Sequence, residues 1–338
     1  MLSDRQKLIL KAIIEEYVNN NEPVGSKALT EKPYLDFSSA TIRYDMQNLE
    51  ENGYLEKTHT SSGRIPSEQG YRYYVDHLII RDDAVLEYFK YIDDIFNNRH
   101  LNKDDALKKI ADFLSELTGY YSLVLGSSTD FAKVMKMEIV PLSDSEAVML
   151  IVTSSGAVQS QKIKIPNGYN MDDLLKIIQM FDNAMYDRSV FEIREVLSKE
   201  ASKPRIRQMV DFRDDILNFM IRGFTRFSNT ESYDSGLSRL FNQPEFQDYQ
   251  VMQKILKAID DEAMKEIARK DTGTLKIRIG SENTNDGLKN CSIISIPYYI
   301  DDNEYGTIIL VGPTRMNYRG VIPLLEYVAK SMPKLYNR

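Results

Sequence analysis

Arg43, Tyr44 and Gln47, with Ala40 one turn earlier, form a set whose chemistry is recognition rather than bond making. A guanidinium can fork onto guanine, an amide can pair with adenine, and a small methyl can meet the methyl of thymine. A phenol can bond a phosphate or stack on a sugar. Such a set is useful only if one rigid element presents all four residues on one side. The stretch SSATIRYDMQNLEENG, residues 38–53, has the pattern of that element. Ser38 or Ser39 offers a side-chain oxygen to the free N–H groups of a first helical turn. Ile42, Met46 and Leu49 recur at i, i+4 and i+7 as one apolar stripe. Asn52-Gly53 ends it, with glycine free to adopt the left-handed conformation past the last turn. At about 100° per residue, Ala40, Arg43, Tyr44 and Gln47 project away from the stripe. Taken alone, this is equally the pattern of an ordinary amphipathic surface helix, so the flanking segments decide.

Upstream, Ser3 with Gln6 forms a capping-box pattern. A helix then runs to Asn19 with Leu10, Ile13, Ile14 and Tyr17 on one face, and Asn20-Asn21-Glu22-Pro23 breaks it. A second short helix starts at Ser26 and stops before Pro33, whose ring pushes the preceding residue out of helical geometry. Three short helices, each with one interior stripe, suit a helix-turn-helix core. Downstream, Tyr54–Lys57 and Arg64-Ile65 are expected to pair as strands around a tip of Thr58, His59, Thr60, Ser61, Ser62 and Gly63. A small, hydroxyl-rich tip next to Arg64 suits phosphate contact or minor-groove entry. The outline is a reading helix followed by a wing.

Charge sets a limit on how such a domain could bind nucleic acid. Residues 1–80 hold nine Lys or Arg against twelve Asp or Glu, a net of −3 within a chain of net −7. DNA affinity usually leans on phosphate neutralisation. The positive footprint must therefore be local, at Lys27, Arg43, Lys57 and Arg64, with Arg72 as a further candidate. Specificity is expected to come from base contacts and dimer geometry, not from non-specific coating of the duplex.

Several segments together resemble one family. Pro23-Val24-Gly25-Ser26-Lys27, SSATIR at 38–43, HTSSGRIPSEQGYRYYVD at 59–76, IGSEN at 279–283 and GPTRMNY at 312–318 are similar to the signatures of the HrcA heat-inducible transcription repressors of bacteria. The resemblance spans nearly the whole chain. It implies a homodimer on double-stranded DNA, bound at an inverted-repeat operator ahead of chaperone operons, with activity maintained by the GroEL chaperonin and lost on heat stress. The residues expected at DNA are Ser26, Lys27, Ser38, Ser39, Ala40, Thr41, Arg43, Tyr44, Gln47, Lys57, His59, Ser61 and Arg64. The family usually carries Asn where this chain has Tyr44. A phenol cannot reproduce an amide's paired bonds to adenine. The competing regulatory reading is a metabolic repressor that senses a small effector.

The rest of the chain reads as α+β and multidomain. A charged connecting helix is expected from about Ser67 to Asn97, its Tyr71, Tyr73 and Tyr74 packing back onto the three-helix core. A helix over Lys103–Thr118 follows, then strands at Tyr121–Leu125, Val134–Val140, Ala147–Thr153 and Val158–Ile165. A helix over Asp172–Asp187 precedes a helical block near Ser189–Lys270, which includes stripes at Phe212–Ile221 and Val251–Ile259. Strands return at Leu275–Ile279, Cys291–Ile296 and Thr307–Val311, before a last helix over Val321–Met332. Strands joined by hairpins point to an antiparallel sheet with helices on one side. The family resemblance implies a winged helix over 1–80, a linker helix over 81–103, a GAF-like domain in two segments (104–188 and 271–338) and an inserted dimerising domain over 189–270.

Catalytic chemistry is sparse. His59, His77 and His100 are scattered, without metal-ligand spacing. Gly25-Ser26-Lys27 lacks the first glycine of a phosphate loop, and no GxSxG or GxGxxG occurs. Asp82-Asp83, Asp214-Asp215 and Asp301-Asp302 read as solvated patches. Arg315 follows a buried strand and a Gly-Pro turn, which favours a structural role over an anion site. No cofactor, metal or enzymatic activity is expected. The single cysteine, Cys291, excludes an intrachain disulfide and sits in an apolar strand pattern. No apolar run reaches membrane-spanning length, and a charged, helical N-terminus is unlike a signal peptide, so the expected location is the cytoplasm.

Overall fold

The computed structural model describes residues 2–57, 63–80, 86–98, 100–128, 133–154, 158–164, 231–271, 273–300 and 305–336, with isolated positions between 172 and 193. The expected helix over Phe212–Ile221 and the turn at Ser155-Gly156 lie outside these residues, as does most of the expected helix over Asp172–Asp187. Two compact units are present. One comprises Met1–Val124, Ser232–Tyr298 and Thr307–Arg338, and the other Leu125–Glu231 with Tyr299–Gly306. The division after Val124 differs from the expected grouping of 104–188 with 271–338.

The first unit begins with α1 (Asp4–Asn20), α2 (Ser26–Thr30) and α3 (Ser39–Glu51). Ser3 and Gln6 close a reciprocal capping box on α1, and Asn21 ends it in the left-handed conformation. Ile9, Leu10, Ile13 and Ile14 of α1 meet Leu29 of α2 and Ile42 and Leu49 of α3 as a fully buried centre. The ribbon follows as β1 (Leu55–Lys57) and β2 (Arg64–Pro66), which pair antiparallel with Lys57 opposite Arg64.

The connecting helix is not continuous. It is a short α4 (Glu68–Tyr73) and one π-helical turn over Tyr74–Leu78, after which Ile79 is extended. Tyr71 and Tyr74 are buried, as expected, and hold this segment in place. A separate helix, α5, runs over Leu86–Asn97. α6 (Lys103–Thr118) is capped by Asn102 and stopped by Gly119 in the left-handed region.

A five-stranded sheet is built mainly from residues of the first unit. Its order is β7-β3-β10-β9-β8, from β3 (Tyr121–Ser128), β7 (Ser232–Ser235), β8 (Lys276–Ile279), β9 (Cys291–Tyr299) and β10 (Tyr305–Pro313). β8 and β9 are antiparallel. β9 is buried on both faces, not on one. Ser292 bonds the Tyr318 hydroxyl at the start of the C-terminal helix (Tyr318–Ser331), while Ser295, on the opposite face, bonds Asp271. Asp271 itself is fully buried and paired with Arg278 of β8. Cys291 is buried on the Ser295 face, and burial pushes its thiol pKa up to about 12.

In the second unit, β4 (Val134–Ser143), β5 (Glu146–Thr153) and β6 (Val158–Lys164) form a three-stranded antiparallel sheet. Ala147, Met149, Ile151 and Thr153 are buried while their neighbours are half-exposed, so this strand has one wet face and one dry face. The helix over Tyr249–Ala258, in the first unit, buries Ile255 as its stripe predicts. Among the described residues, no helix is long and apolar enough to cross a membrane, and no group of His, Cys, Asp or Glu is placed to hold a metal ion.

Candidate nucleic-acid interface

α3 is set from its first turn. Ser38 is extended, and its Oγ accepts from the Thr41 backbone N–H at 3.2 Å and lies 2.9 Å from Thr41 Oγ1. The Oγ atoms of Ser26 and Ser39 are 3.1 Å apart, which ties the start of α2 to the start of α3. At the far end Asn52 caps the helix, and Gly53 takes φ +80°, where a side chain would be strained. The buried stripe is Ile42, Met46 and Leu49, with one charged member, Asp45. Arg5 of α1 reaches across, with Nε 2.5 Å and Nη2 3.2 Å from the Asp45 carboxylate. The bonds and charge of Asp45 hold the Arg5 pKa above its usual value. This pair, 40 residues apart, pins the roll of α3 about its own axis. Its one sequence signal was that position 45 falls on the apolar side of the helix.

Ala40, Arg43, Tyr44 and Gln47 are all exposed, and the Tyr44 side chain is 63% exposed. The four expected readers thus share one open face of a capped, buried-backed helix. Gln47 donates to Glu51 at 3.0 Å, a bond it must give up to pair with a base. Ser38 and Lys27 are exposed at the same end, with Ser26, Ser39 and Thr41 half-buried.

The ribbon is held by three attachments. Val24, just before α2, exchanges two backbone hydrogen bonds of 2.9 Å with Arg64, adding a bridge to β2. Gly63 passes so close to Pro23 that a Cβ there would lie 2.8 Å from its backbone. Pro23-Val24 therefore anchors the wing, a role not legible in the sequence. The third attachment is Arg64 itself, whose Nε donates to Glu50 of α3 at 2.6 Å. Arg64 is thus engaged within the domain, whereas Lys57 opposite it is exposed. His59 and Ser61, also expected at DNA, lie outside the described residues. Arg72 does not belong to the cationic footprint: its guanidinium is held by Glu282. Arg315 is paired with Glu245 and donates to Gln243 at 2.9 Å, the structural role the Gly-Pro turn suggested.

This geometry, a helix with an exposed polar face followed by an anchored β-ribbon, agrees with what the chain is similar to. Residues 11–67 match the family model of the DeoR-like helix-turn-helix domain. Residues 104–322 match that of the HrcA protein C-terminal domain. The heat-inducible transcription repressor HrcA of Acholeplasma laidlawii is 44% identical over 99% of this chain and 98% of that protein. Its counterpart in Halalkalibacterium halodurans is 36% identical, with the same coverage of each. A crystal structure of a hypothetical protein shares the fold, with a TM-score of 0.61 at 23% identity over 99% of both chains. The chain belongs to the HrcA family of heat-inducible transcription repressors, with a helix-turn-helix DNA-binding domain near its N-terminus.

Proposed function

We propose that the chain represses chaperone operons as a homodimer, each subunit placing α3 in the major groove of one half of an inverted-repeat operator. The observation that carries this reading is the open face of Ala40, Arg43, Tyr44 and Gln47 on a helix whose roll is fixed by Asp45. Arg43 and Gln47 would read base edges, and Ala40 would meet a thymine methyl. Tyr44 would bond a phosphate or pack on a sugar. Ser26, Lys27, Ser38, Ser39 and Thr41, clustered at the N-termini of α2 and α3, would contact the phosphates beside the groove, where helix dipoles and free N–H groups favour anions. Lys57, His59 and Ser61 would meet the flanking backbone. Arg64 would act by holding the wing against Glu50.

In this reading an inserted segment over 189–270 would make the dimer contact and the sheet-forming segments would make a GAF-like domain, as the family resemblance implies. With a net of −3 over residues 1–80, one domain alone binds weakly, and two linked half-sites supply the affinity. The GroEL chaperonin would keep a marginally stable, DNA-competent population in place, and heat would withdraw that support. The test is a gel-shift titration against inverted-repeat DNA at two salt concentrations, with and without chaperonin and ATP. The reading requires preference for the repeat over scrambled duplex and a rise in active fraction with chaperonin. Equal binding to both duplexes would refute it.

A further inference from the structure

The IGSEN segment is a family signature far from the reading helix in sequence, and DNA contact gives it no role. In space it grips the helix that follows the wing. After β8 the chain makes a 3₁₀ turn over Gly280–Glu282. The Arg72 guanidinium of α4 donates to both Glu282 carboxylate oxygens, through Nε at 2.8 Å and through Nη2. Nη2 also donates to the Ile277 carbonyl at 2.7 Å. Glu68, one turn earlier on α4, accepts from the Ser281 backbone N–H at 3.0 Å and from its Oγ at 2.5 Å.

Each remaining residue of the motif shapes this grip. The Ile279 N–H donates to Glu282 at 2.8 Å and aims its carboxylate. Gly280 has φ +55°, and a Cβ there would lie 1.9 Å from Glu68 Oε1. The buried amide of Asn283 donates to the carbonyls of Gly280, Leu288 and Cys291 at 2.9–3.0 Å, which fixes the turn. α4 is in turn rigidly joined to α3. Its cap, Ser67, donates through Oγ to the Gly53 carbonyl at 2.5 Å, and Gly70 passes so close that a Cβ would lie 2.2 Å from the Tyr54 carbonyl oxygen. A rotation of α4 must therefore carry the reading helix with it.

We propose that Ser281 and Glu282 are positioning residues for DNA recognition: by fixing Glu68 and Arg72 they set the direction in which each subunit presents α3, and hence the half-site spacing that a dimer accepts. The exposed ion pair is weak as a source of stability. Its bidentate geometry gives direction instead. The inference rests on the dimeric, inverted-repeat reading above, because spacing has meaning only for two linked reading heads.

The experiment uses full-length protein and a set of duplexes with identical half-sites and spacers lengthened or shortened by one or two base pairs. Binding is measured for wild type, Glu282→Ala, Glu282→Gln, Arg72→Ala and the Arg72→Ala/Glu282→Ala double variant, and again on a single half-site. Wild type should prefer one spacer by at least about tenfold. The single variants should reduce that preference to about threefold or less, leave half-site binding within about twofold, and loosen it no further when combined. An unchanged spacer profile in folded Glu282→Ala and Glu282→Gln overturns the positioning role while leaving the dimer reading intact. A parallel loss of half-site binding in these variants also overturns it, since that is the mark of general destabilisation. A wild type without spacer preference overturns both.

Discussion

Arg64 Nε lies 2.6 Å from Oε2 of Glu50, so the second strand of the ribbon is tied to the last turn of the reading helix. An arginine at the base of a wing invites assignment to phosphate, but this one is only 16% exposed and already faces a carboxylate. The relation yields a discriminating prediction. If Arg64 positions the wing, Glu50→Gln and Arg64→Ala both weaken operator binding, with little change in its salt dependence. If Arg64 were a phosphate ligand, Glu50→Gln would release it, tighten binding and steepen the salt slope. Fluorescence anisotropy across a salt series on both variants separates the two.

Arg43 and Lys57 should fail in different ways. Arg43→Ala is expected to lose roughly 1–3 kcal/mol on operator DNA and to relax preference at one base position. Lys57→Ala should weaken operator and random duplex alike and lower the salt slope by about 1. Titrations on a panel of single-base operator variants check both, and unchanged selectivity in Arg43→Ala would remove it from the reading face.

The interior of the sheet predicts an acid response. Burial by itself raises the Asp271 carboxyl pKa, but hydrogen bonds from Arg278 and Ser295, with the charges of Arg278 and Lys276, outweigh it and hold the value below the usual aspartate range. The native value is thus lower than the unfolded one. This group's stabilisation is complete above the unfolded value of about 4 and is lost as pH falls through the native one. The stability difference between wild type and Asp271→Asn should be flat above about pH 5 and shrink below about pH 4. Arg278→Ala, which leaves a buried carboxylate short of its main partner, should cost about 2–3 kcal/mol at neutral pH. Urea unfolding at several pH values measures both.

Cys291 offers a built-in reporter of thermal unfolding. It is fully buried in β9 and its thiol pKa stands near 12, so almost no thiolate exists at pH 8. Reaction with a disulfide reagent should be slow in native protein and rise steeply with the unfolding transition. Fast labelling at low temperature would contradict the packing around β9.

Much of this was legible locally. Ser38 and Gly53 mark the ends of the reading helix because caps are written within a few residues of each other. The helix over Lys103–Thr118 is bounded in the same local way, by Asn102 before it and Gly119 after. What escaped was set by distant partners. Nothing near Arg72 announces Glu282, 210 residues away, so an arginine beside tyrosines resembled a nucleic-acid contact. The Arg5–Asp45 pair had a faint trace only, a carboxylate on an apolar stripe. The connecting helix looked unbroken because Tyr74–Leu78 keeps helical composition, whereas the chain becomes extended at Ile79 after one π turn. The two-sided burial of β9 depends on Tyr318 and Asp271, which approach from different parts of the chain.

In the proposed function, two copies of the exposed α3 face read one inverted repeat. The decisive test is the stoichiometry and affinity of the whole chain on the proposed inverted-repeat operator, against a duplex with one half-site scrambled. Two subunits should bind each intact repeat, and binding should weaken by at least about tenfold on the half-site duplex. One subunit per duplex, or equal affinity for both, would contradict it.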